Sequence, residues 1–180
     1  MLTILGIIVL LILLFLVLPL FIKKDYTIEQ KVVIGKPDPA VFDFIKLLGN
    51  QTYYNKWVMM DPNVRRTATG IDGTVGFVSA WDSQVRNVGK GEQEITRIVS
   101  GTQIDSKVRF EKPFKNVADV YMATKAITAE QTELTWTMRG QNKYPMNIMN
   151  LFIPGLLARD MVESLKNLKS VLEKGGRPTN

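Results

Sequence analysis

The stretch Thr132–Lys174 decides the fold; it reads TELTWTMRGQNKYPMNIMNLFIPGLLARDMVESLKNLKSVLEK. Apolar and polar residues alternate over Thr132–Arg139, which predicts a strand with one buried face. From Met146 the apolar residues follow steps of three and four, the period of a helix, through Met149, Phe152, Ile153, Leu156, Leu157, Met161, Leu165, Leu168 and Leu172. Pro154-Gly155 is expected to break or kink this helix near its start, so the chain ends in a strand and a long amphipathic helix.

A series of strands separated by turns precedes this pair of elements. The predicted strands are Tyr26–Ile34, Val64–Thr69, Thr74–Asp82, Val88–Ile98, Gln103–Phe110 and Asn116–Ile127. Two short helices, Ala40–Leu48 and about Gln51–Trp57, follow the first strand. Because the later strands succeed one another without helices between them, an antiparallel meander is expected. The sequence therefore predicts an α+β fold in which a curved, seven-stranded antiparallel sheet grips the long C-terminal helix and leaves a cavity between them.

The amino-terminal segment differs from the rest of the chain because Leu2–Ile22 contains no charged residue. Twenty-one residues at helical rise span about 31 Å, the hydrocarbon thickness of a bilayer. We interpret residues 1–23 as an uncleaved transmembrane anchor. A cleaved signal peptide is the alternative, although no basic residue precedes the apolar run and no small-residue cleavage site follows it. A buried core helix is a second alternative, although such helices are rarely apolar on every face.

The boundaries of the remaining chain follow from this anchor. Lys23 and Lys24 flank only its carboxyl side, so the positive-inside rule predicts a single-pass protein with its domain in the cytoplasm. That domain is expected to cover residues 24–175, followed by a frayed tail at residues 176–180. The oligomeric state is left open by the sequence.

Two missing residue types restrict the chemistry. The chain contains no His and no Cys. A Ser-His-Asp triad, His metal ligation, thiol nucleophiles, disulfides and thiolate metal sites are therefore excluded. The carboxylates Asp72, Asp82 and Asp105 are scattered over turns and one strand, and they form no recognisable acid–base pair. We expect no catalytic residue, no metal and no cofactor.

Several short motifs occur in a characteristic order. After the anchor come Lys23-Lys-Asp-Tyr26, Asp38-Pro-Ala-Val-Phe-Asp-Phe44, Tyr54-Asn-Lys-Trp57, Asp61-Pro-Asn63, Gly73-Thr-Val-Gly76, Gly89-Lys-Gly91 and Leu134-Thr-Trp-Thr-Met-Arg-Gly140. This order resembles the START-like or SRPBCC superfamily, whose helix-grip fold is shared with the birch pollen allergen. It is more closely similar to bacterial membrane-anchored proteins labelled polyketide cyclase/dehydrase-like. The resemblance implies a domain that binds lipids or other hydrophobic molecules, and some members of the superfamily are enzymes.

Strand alternation predicts which side chains line the concave face of the sheet. The apolar candidates for ligand binding are Phe77, Trp81, Val108, Phe110, Ala118, Val120, Met122, Trp136 and Met138 on the strands, Leu157 and Met161 on the long helix, and Trp57 at the expected mouth. Each of them also fits ordinary core packing. Methionines and tryptophans nevertheless suit an adaptable apolar pocket.

Polar residues at inward positions complete the candidate site: Arg66, Ser79, Gln93 and Ser106. Burying a polar group without a partner costs about 1–3 kcal/mol, so each needs a partner in the protein or in a ligand. Arg66 would bind an acidic ligand head group if it is buried, or reach solvent if its strand lies at the edge of the sheet.

Three functions remain open. The leading hypothesis is a membrane-anchored domain that binds a lipid or another hydrophobic small molecule. The alternatives are a cavity enzyme of cyclase, dehydratase or hydrolase type and a protein-interaction module with a filled core. The net charge is +6, but nucleic acid binding is not expected. The nearest approach to a basic patch is formed by the outward residues Lys107, Arg109, Lys112 and Lys115, and their face carries no aromatic residue on which bases could stack. We expect those four residues to be solvated or to face anionic lipid.

Overall fold

In the computed structural model, which describes residues 2–175, seven strands form one antiparallel sheet. They are β1 (Asp25–Ile34), β2 (Arg65–Thr69), β3 (Val78–Asp82), β4 (Lys90–Val99), β5 (Gln103–Lys112), β6 (Asn116–Thr128) and β7 (Gln131–Gln141). The strand order is β1-β7-β6-β5-β4-β3-β2. A meander thus runs from β2 to β7, as the sequence predicts, and β1 pairs with the far side of β7. The tail expected to fray lies outside the described residues.

The third strand is shorter than its pattern suggests. The prediction Thr74–Asp82 is wrong at its start, because β3 begins only at Val78. Gly73 and Gly76 adopt φ angles of 78° and 88°, a left-handed backbone that favours glycine and interrupts an extended strand. The other predicted strands differ from the observed ones by at most two residues at either end.

The helices begin and end differently from the sequence prediction. The apolar segment forms α1 (Leu2–Val17), which continues as a 3-10 helix over Leu18–Phe21. The first short helix, α2 (Asp38–Ile45), ends before the predicted Leu48, and a 3-10 helix follows over Leu48–Tyr53. The predicted helix Gln51–Trp57 is replaced by α3 (Lys56–Met59), which starts later because the Asn55 side chain accepts a hydrogen bond from the Trp57 backbone N–H.

The predicted break in the long helix is confirmed. A 3-10 helix covers Met146–Leu151, and α4 runs over Ile153–Lys174 with Pro154 in its first turn, where the missing N–H is tolerated. Met149, Phe152 and Leu156 belong to the apolar period of the predicted helix, but all three are exposed. They precede or occupy the first turn of α4, whereas the buried side of that helix starts at Met161.

The long helix is fastened to one edge of the sheet. It packs against β1 and α3, and its own residues Met161, Leu165 and Leu168 form its buried side. Near its carboxyl end, the Gly35 backbone N–H donates a 2.6 Å hydrogen bond to Glu173 Oε1. The helix α2 packs against β6 and β7. The hydrophobic core lies on the concave face of the sheet, and it contains buried residues from β1, β7, β6, β5 and β4.

The two ends of the sheet are distinct. At one end, β1 starts directly after the apolar amino-terminal segment, and the β5–β6 hairpin turns after Lys112. We call this the anchored end. The opposite end, which we call the far end, contains the β6–β7 turn and the carboxyl terminus of α4.

Candidate functional site

The strand register places the predicted site residues in rows across the concave face. The row nearest the anchored end contains Arg66, Trp81, Gly91 and Phe110. The next rows contain Ser79, Gln93, Val108 and Ala118, then Ser106, Val120 and Met138, and finally Met122 and Trp136. The structure thus brings the predicted strand residues together on a single face.

Burial divides these residues into two groups. The first, which we call the packed half, consists of buried residues: Phe77, Ser106, Val108, Ala118, Val120, Met122, Trp136, Met138 and Met161. The second, which we call the open half, consists of the half-buried residues Ser79, Trp81, Gln93 and Phe110. The open half lies on the strands toward the β2 edge, away from the β1 edge on which α4 packs.

Two aromatic rings form the floor of the open half. Trp81 and Phe110 meet edge to face, with ring centroids 6.0 Å apart and planes at 76°. The Trp81 indole lies directly over Gly91, since a Cβ at that position would approach Trp81 Cζ2 to 2.7 Å. Trp81 Nε1 donates to the Val88 carbonyl at 3.1 Å, so the ring is fixed at both its face and its edge. This gives a preformed apolar surface that is partly open to its surroundings.

A second aromatic pair joins α3 to the sheet. Trp57 and Trp136 meet nearly at right angles, with centroids 6.1 Å apart. Trp57 Nε1 donates to Asp160 Oδ2 on α4 at 3.1 Å, while Leu157 lies half-buried against the same core. The Nε1 of Trp136 is buried and has no acceptor among the described residues. A hydrogen-bond donor therefore lies inside the packed half with its capacity unused.

The inward polar residues form a connected chain. Asn55 Nδ2 donates to Gln51 Oε1, Gln51 Nε2 donates to Gln93 Oε1 at 3.0 Å, and Gln93 Nε2 donates to Ser106 Oγ at 2.8 Å. Gln93 and Ser106 were predicted to face inward, whereas Gln51 and Asn55 were missed because their short helix gives no clear periodicity. This series of hydrogen bonds gives each side-chain amide a partner. The Ser106 hydroxyl accepts from Gln93, so its own hydrogen can still be donated.

Arg66 is exposed on the edge strand β2. Its Nη2 donates to the Val58 carbonyl at 3.0 Å and so ties β2 to the end of α3. Partial desolvation lowers the pKa of its guanidinium, and the negative charge of Asp61 opposes that effect. The sequence left two roles open for Arg66. Its exposed position on an edge strand fits a residue that reaches solvent better than a buried residue that binds an anion.

The buried phenol of the core has little acid–base capacity near neutral pH. Tyr54 is almost completely buried, and burial raises the pKa of its hydroxyl far above the usual range. Its hydroxyl lies 4.0 Å from Met122 Sδ. Tyr54 therefore serves packing between the short helices and the sheet.

Asparagine side chains clamp the amino-terminal segment to the domain. Asn147 is fully buried, and its Nδ2 donates to the carbonyls of Pro19 and Ile22 at 2.7 and 2.8 Å. Asn150 Nδ2 donates to the carbonyls of Lys23 and Lys24 at 2.9 and 2.8 Å. Sequence reasoning missed this clamp. Its only signal is a pair of asparagines spaced by three in an otherwise apolar stretch.

The amino-terminal helix itself is exposed. Residues Thr3–Phe21 have a mean hydropathy of 3.4 and are long and apolar enough to cross a membrane, with 6% of the most apolar window buried. This exposure is incompatible with a core helix of the domain. Length and composition do not separate a membrane anchor from a signal sequence.

The outer face of the sheet is polar and internally paired. Lys107 approaches Asp119 at 3.7 Å, and Arg109 approaches Glu92 and Glu94 at 3.0 and 2.6 Å. An open groove of about 260 Å³ on this face is lined by Gln103, Tyr121, Ala123, Thr135, Thr137 and Arg139. Of the four predicted outward cations, Lys107 and Arg109 therefore pair with carboxylates on the sheet, whereas Lys112 and Lys115 do not form ion pairs among the described residues.

Comparison with solved structures shows the same architecture in other proteins. Protein CV1439 from Chromobacterium violaceum is 14% identical and has a TM-score of 0.60, with 82% of this chain and 96% of that chain covered. Ara h 8.0201 is 11% identical, with a TM-score of 0.60 and coverages of 83% and 99%. The chain has the helix-grip fold.

A third helix-grip protein extends the comparison to an enzyme. Norcoclaurine synthase from Thalictrum flavum, solved with dopamine and hydroxybenzaldehyde, is 7% identical, with a TM-score of 0.63 and coverages of 89% and 93%. Neither a protein-family model nor a curated protein sequence matches the chain. The superfamily resemblance is thus confirmed at the level of the fold, whereas the narrower likeness to polyketide cyclase/dehydrase-like proteins stays a prediction.

Proposed function

We propose that this helix-grip domain binds a lipid or another hydrophobic small molecule and is held at a membrane by α1. The observation that carries the proposal is the open half of the concave face. Trp81 and Phe110 there present a fixed apolar surface that the helices cover only partly. Half-buried aromatic rings beside a few polar groups are typical of small-molecule sites.

The polar groups of the site suggest how the ligand would be oriented. The buried Trp136 Nε1 has no acceptor among the described residues, and Ser106 can still donate its hydroxyl hydrogen. A ligand with an apolar body and one acceptor oxygen would accept from Ser106, which already binds Gln93 of the open half, while its body covers Trp81 and Phe110. Burial of that body removes apolar surface from water at about 25 cal/mol per Å².

The anchor part of the proposal is supported by the asparagine clamp. Removal of the first 22 residues as a signal peptide would take away both carbonyls that Asn147 binds. A fully buried amide would then be left without these partners, at a cost of about 1–3 kcal/mol. The clamp therefore supports a retained amino-terminal segment over a cleaved one. Norcoclaurine synthase from Thalictrum flavum, solved with dopamine and hydroxybenzaldehyde, supports ligand binding as a use of this fold.

Native mass spectrometry of the full chain, released from detergent-free polymer nanodiscs, tests the proposal. We expect one apolar molecule to remain bound after annular lipids are stripped. Ser79→Leu fills the inward side of β3 in the open half and should reduce the retained complex several-fold. Ala80→Leu adds the same side chain to the outward side of the same strand and should leave it unchanged. A bare chain in every sample would instead favour the protein-interaction module with a filled core.

A further inference from the structure

Exposed apolar side chains gather at the anchored end of the domain. They are Phe114 at the tip of the β5–β6 hairpin, and Met146, Met149, Leu151, Phe152 and Leu156 in the segment that leads into α4. We call this set the apolar collar. Phe114 is 74% exposed and Phe152 is 65% exposed, so the domain itself provides them with little cover. A group of large exposed apolar residues of this kind marks an interaction surface.

Hydrogen bonds connect the collar to the exit of the anchor. Asn116, next to the Phe114 hairpin, donates through Nδ2 to Asn142 Oδ1 at 3.2 Å, and Asn142 Nδ2 donates to Asn150 Oδ1 at 2.6 Å. Asn150 in turn binds the carbonyls of Lys23 and Lys24. The hairpin, the segment before α4 and the end of the anchor are thus held together by side-chain amides.

One of these contacts sets the depth of the collar relative to α1. The Tyr144 hydroxyl donates to the Leu16 carbonyl at 3.0 Å. Leu16 precedes Ile22 by six residues, which is about 9 Å at helical rise. If Ile22 marks the edge of the hydrocarbon, the Tyr144 hydroxyl reaches below that edge, and the collar beside it lies close to the bilayer surface.

Lysines surround the same surface. Lys23, Lys24, Lys112, Lys115 and Lys143 are all exposed at the anchored end, and none of them forms an ion pair within residues 2–175. The neighbouring carboxylate of Glu111 is taken by Lys90 at 2.7 Å. Apolar side chains bordered by unpaired lysines match the composition of surfaces that bind anionic leaflets.

We propose that the apolar collar inserts into the interface of an anionic bilayer leaflet and that the five lysines bind its head groups. This inference rests on the proposed membrane anchor. The domain then lies directly on the membrane rather than on a flexible tether. Trp81 and Phe110 belong to the row nearest the anchored end, on strands that end at Asp82 and Lys112. The open half therefore faces the bilayer, and its ligand is drawn from lipid-soluble molecules that enter without crossing water.

Spin labels on single cysteines test the collar, and the absence of native cysteine makes each label unique. The full chain is placed in nanodiscs at one chain per disc, with 30% phosphatidylglycerol in phosphatidylcholine. Phe114→Cys and Phe152→Cys report on the collar. Ile127→Cys, at an apolar position that is 51% exposed at the far end, is the matched control. We expect accessibility to a water-soluble nickel complex to be several-fold lower at the two collar sites than at the control.

The outcomes separate the possible failures. A chain that does not stay in the discs contradicts the anchor and the collar together. A chain that stays, with collar labels as accessible as Ile127→Cys, contradicts the collar alone. Shielding that appears only with two chains per disc identifies a second copy as the partner and also overturns the proposal. Retention of an apolar ligand is measured separately and is independent of these results.

The lysines are tested by charge reversal on the Phe114→Cys background. Lys112→Glu with Lys115→Glu should raise the accessibility of the label to the nickel complex several-fold in the anionic discs. Lys125→Glu with Lys166→Glu makes the same change in net charge outside the collar and should leave the label shielded. Equal effects of the two pairs would contradict specific binding of head groups by the anchored end.

Discussion

The packed half and the open half of the concave face lie on neighbouring strands but differ in how deeply their inward side chains are buried. In the packed half, the inward side chains of β6 and β7 and of the adjoining part of β5 are buried, and α2 packs against β6 and β7. The open half consists of half-buried inward residues on β3, β4 and the end of β5, toward the edge of the sheet opposite to α4. The comparison shows that a helix fastened to one edge of a sheet leaves the inward side chains toward the other edge less deeply buried.

The largest expected effect is a stability difference between two leucines of the same helix. Leu168 is fully buried, whereas Leu157 is half-buried near the amino end of α4. Leu168→Ala should cost about 2–5 kcal/mol in the free energy of unfolding, because it removes apolar contacts and leaves a cavity. Leu157→Ala should cost clearly less, since fewer of its contacts are lost. Chemical denaturation of the full chain in detergent micelles measures both, and equal costs would remove the distinction between the two regions of α4.

A smaller effect concerns the link that closes the packed half at the far end. The backbone N–H of Gly35, followed by the nearby Lys169, lowers the pKa of the Glu173 carboxyl. A lowered pKa means that folding favours the carboxylate. Its contribution is therefore complete above the ordinary pKa of 4.5 and is lost as the pH falls through the lowered value.

Glu173→Gln isolates this contribution, because the amide oxygen can still accept the Gly35 hydrogen bond but carries no charge. The parent chain should melt at a slightly higher temperature than the variant at pH 7, and the difference should shrink at pH 3. Thermal melts at the two pH values measure it. A difference that is unchanged or larger at pH 3 would show that the carboxylate does not stabilise this link.

Local periodicity was sufficient to predict the sheet. Alternation such as Leu134, Trp136 and Met138 in β7 is a property of consecutive residues, and all three are buried as predicted. The same reasoning placed Gln93 and Ser106 on one face, where they bind each other. The strand order followed because successive strands without crossover helices pair with their neighbours.

Contacts between distant segments could not be predicted in this way. The exposure of Phe152 depends on where α4 leaves the sheet. The burial of Asn147 depends on its contact with Pro19, which is far away in the sequence. The division of the concave face has the same origin. Phe110 and Val108 have the same inward parity, and only the position of the helices leaves Phe110 half-buried and Val108 buried.

The most direct test of the open half uses its own tryptophan as the reporter. The chain contains three tryptophans, Trp57, Trp81 and Trp136, so 5-fluorotryptophan gives three fluorine NMR resonances that single Trp→Phe variants assign. Dodecanoate, an apolar chain with acceptor oxygens, is titrated into the full chain in nanodiscs. We predict a saturable shift of the Trp81 resonance, little change of the Trp136 resonance in the packed half, and loss of the Trp81 shift in Ser79→Leu. A Trp81 resonance that stays in place at every concentration, or that moves equally in Ser79→Leu, would contradict ligand binding in the open half.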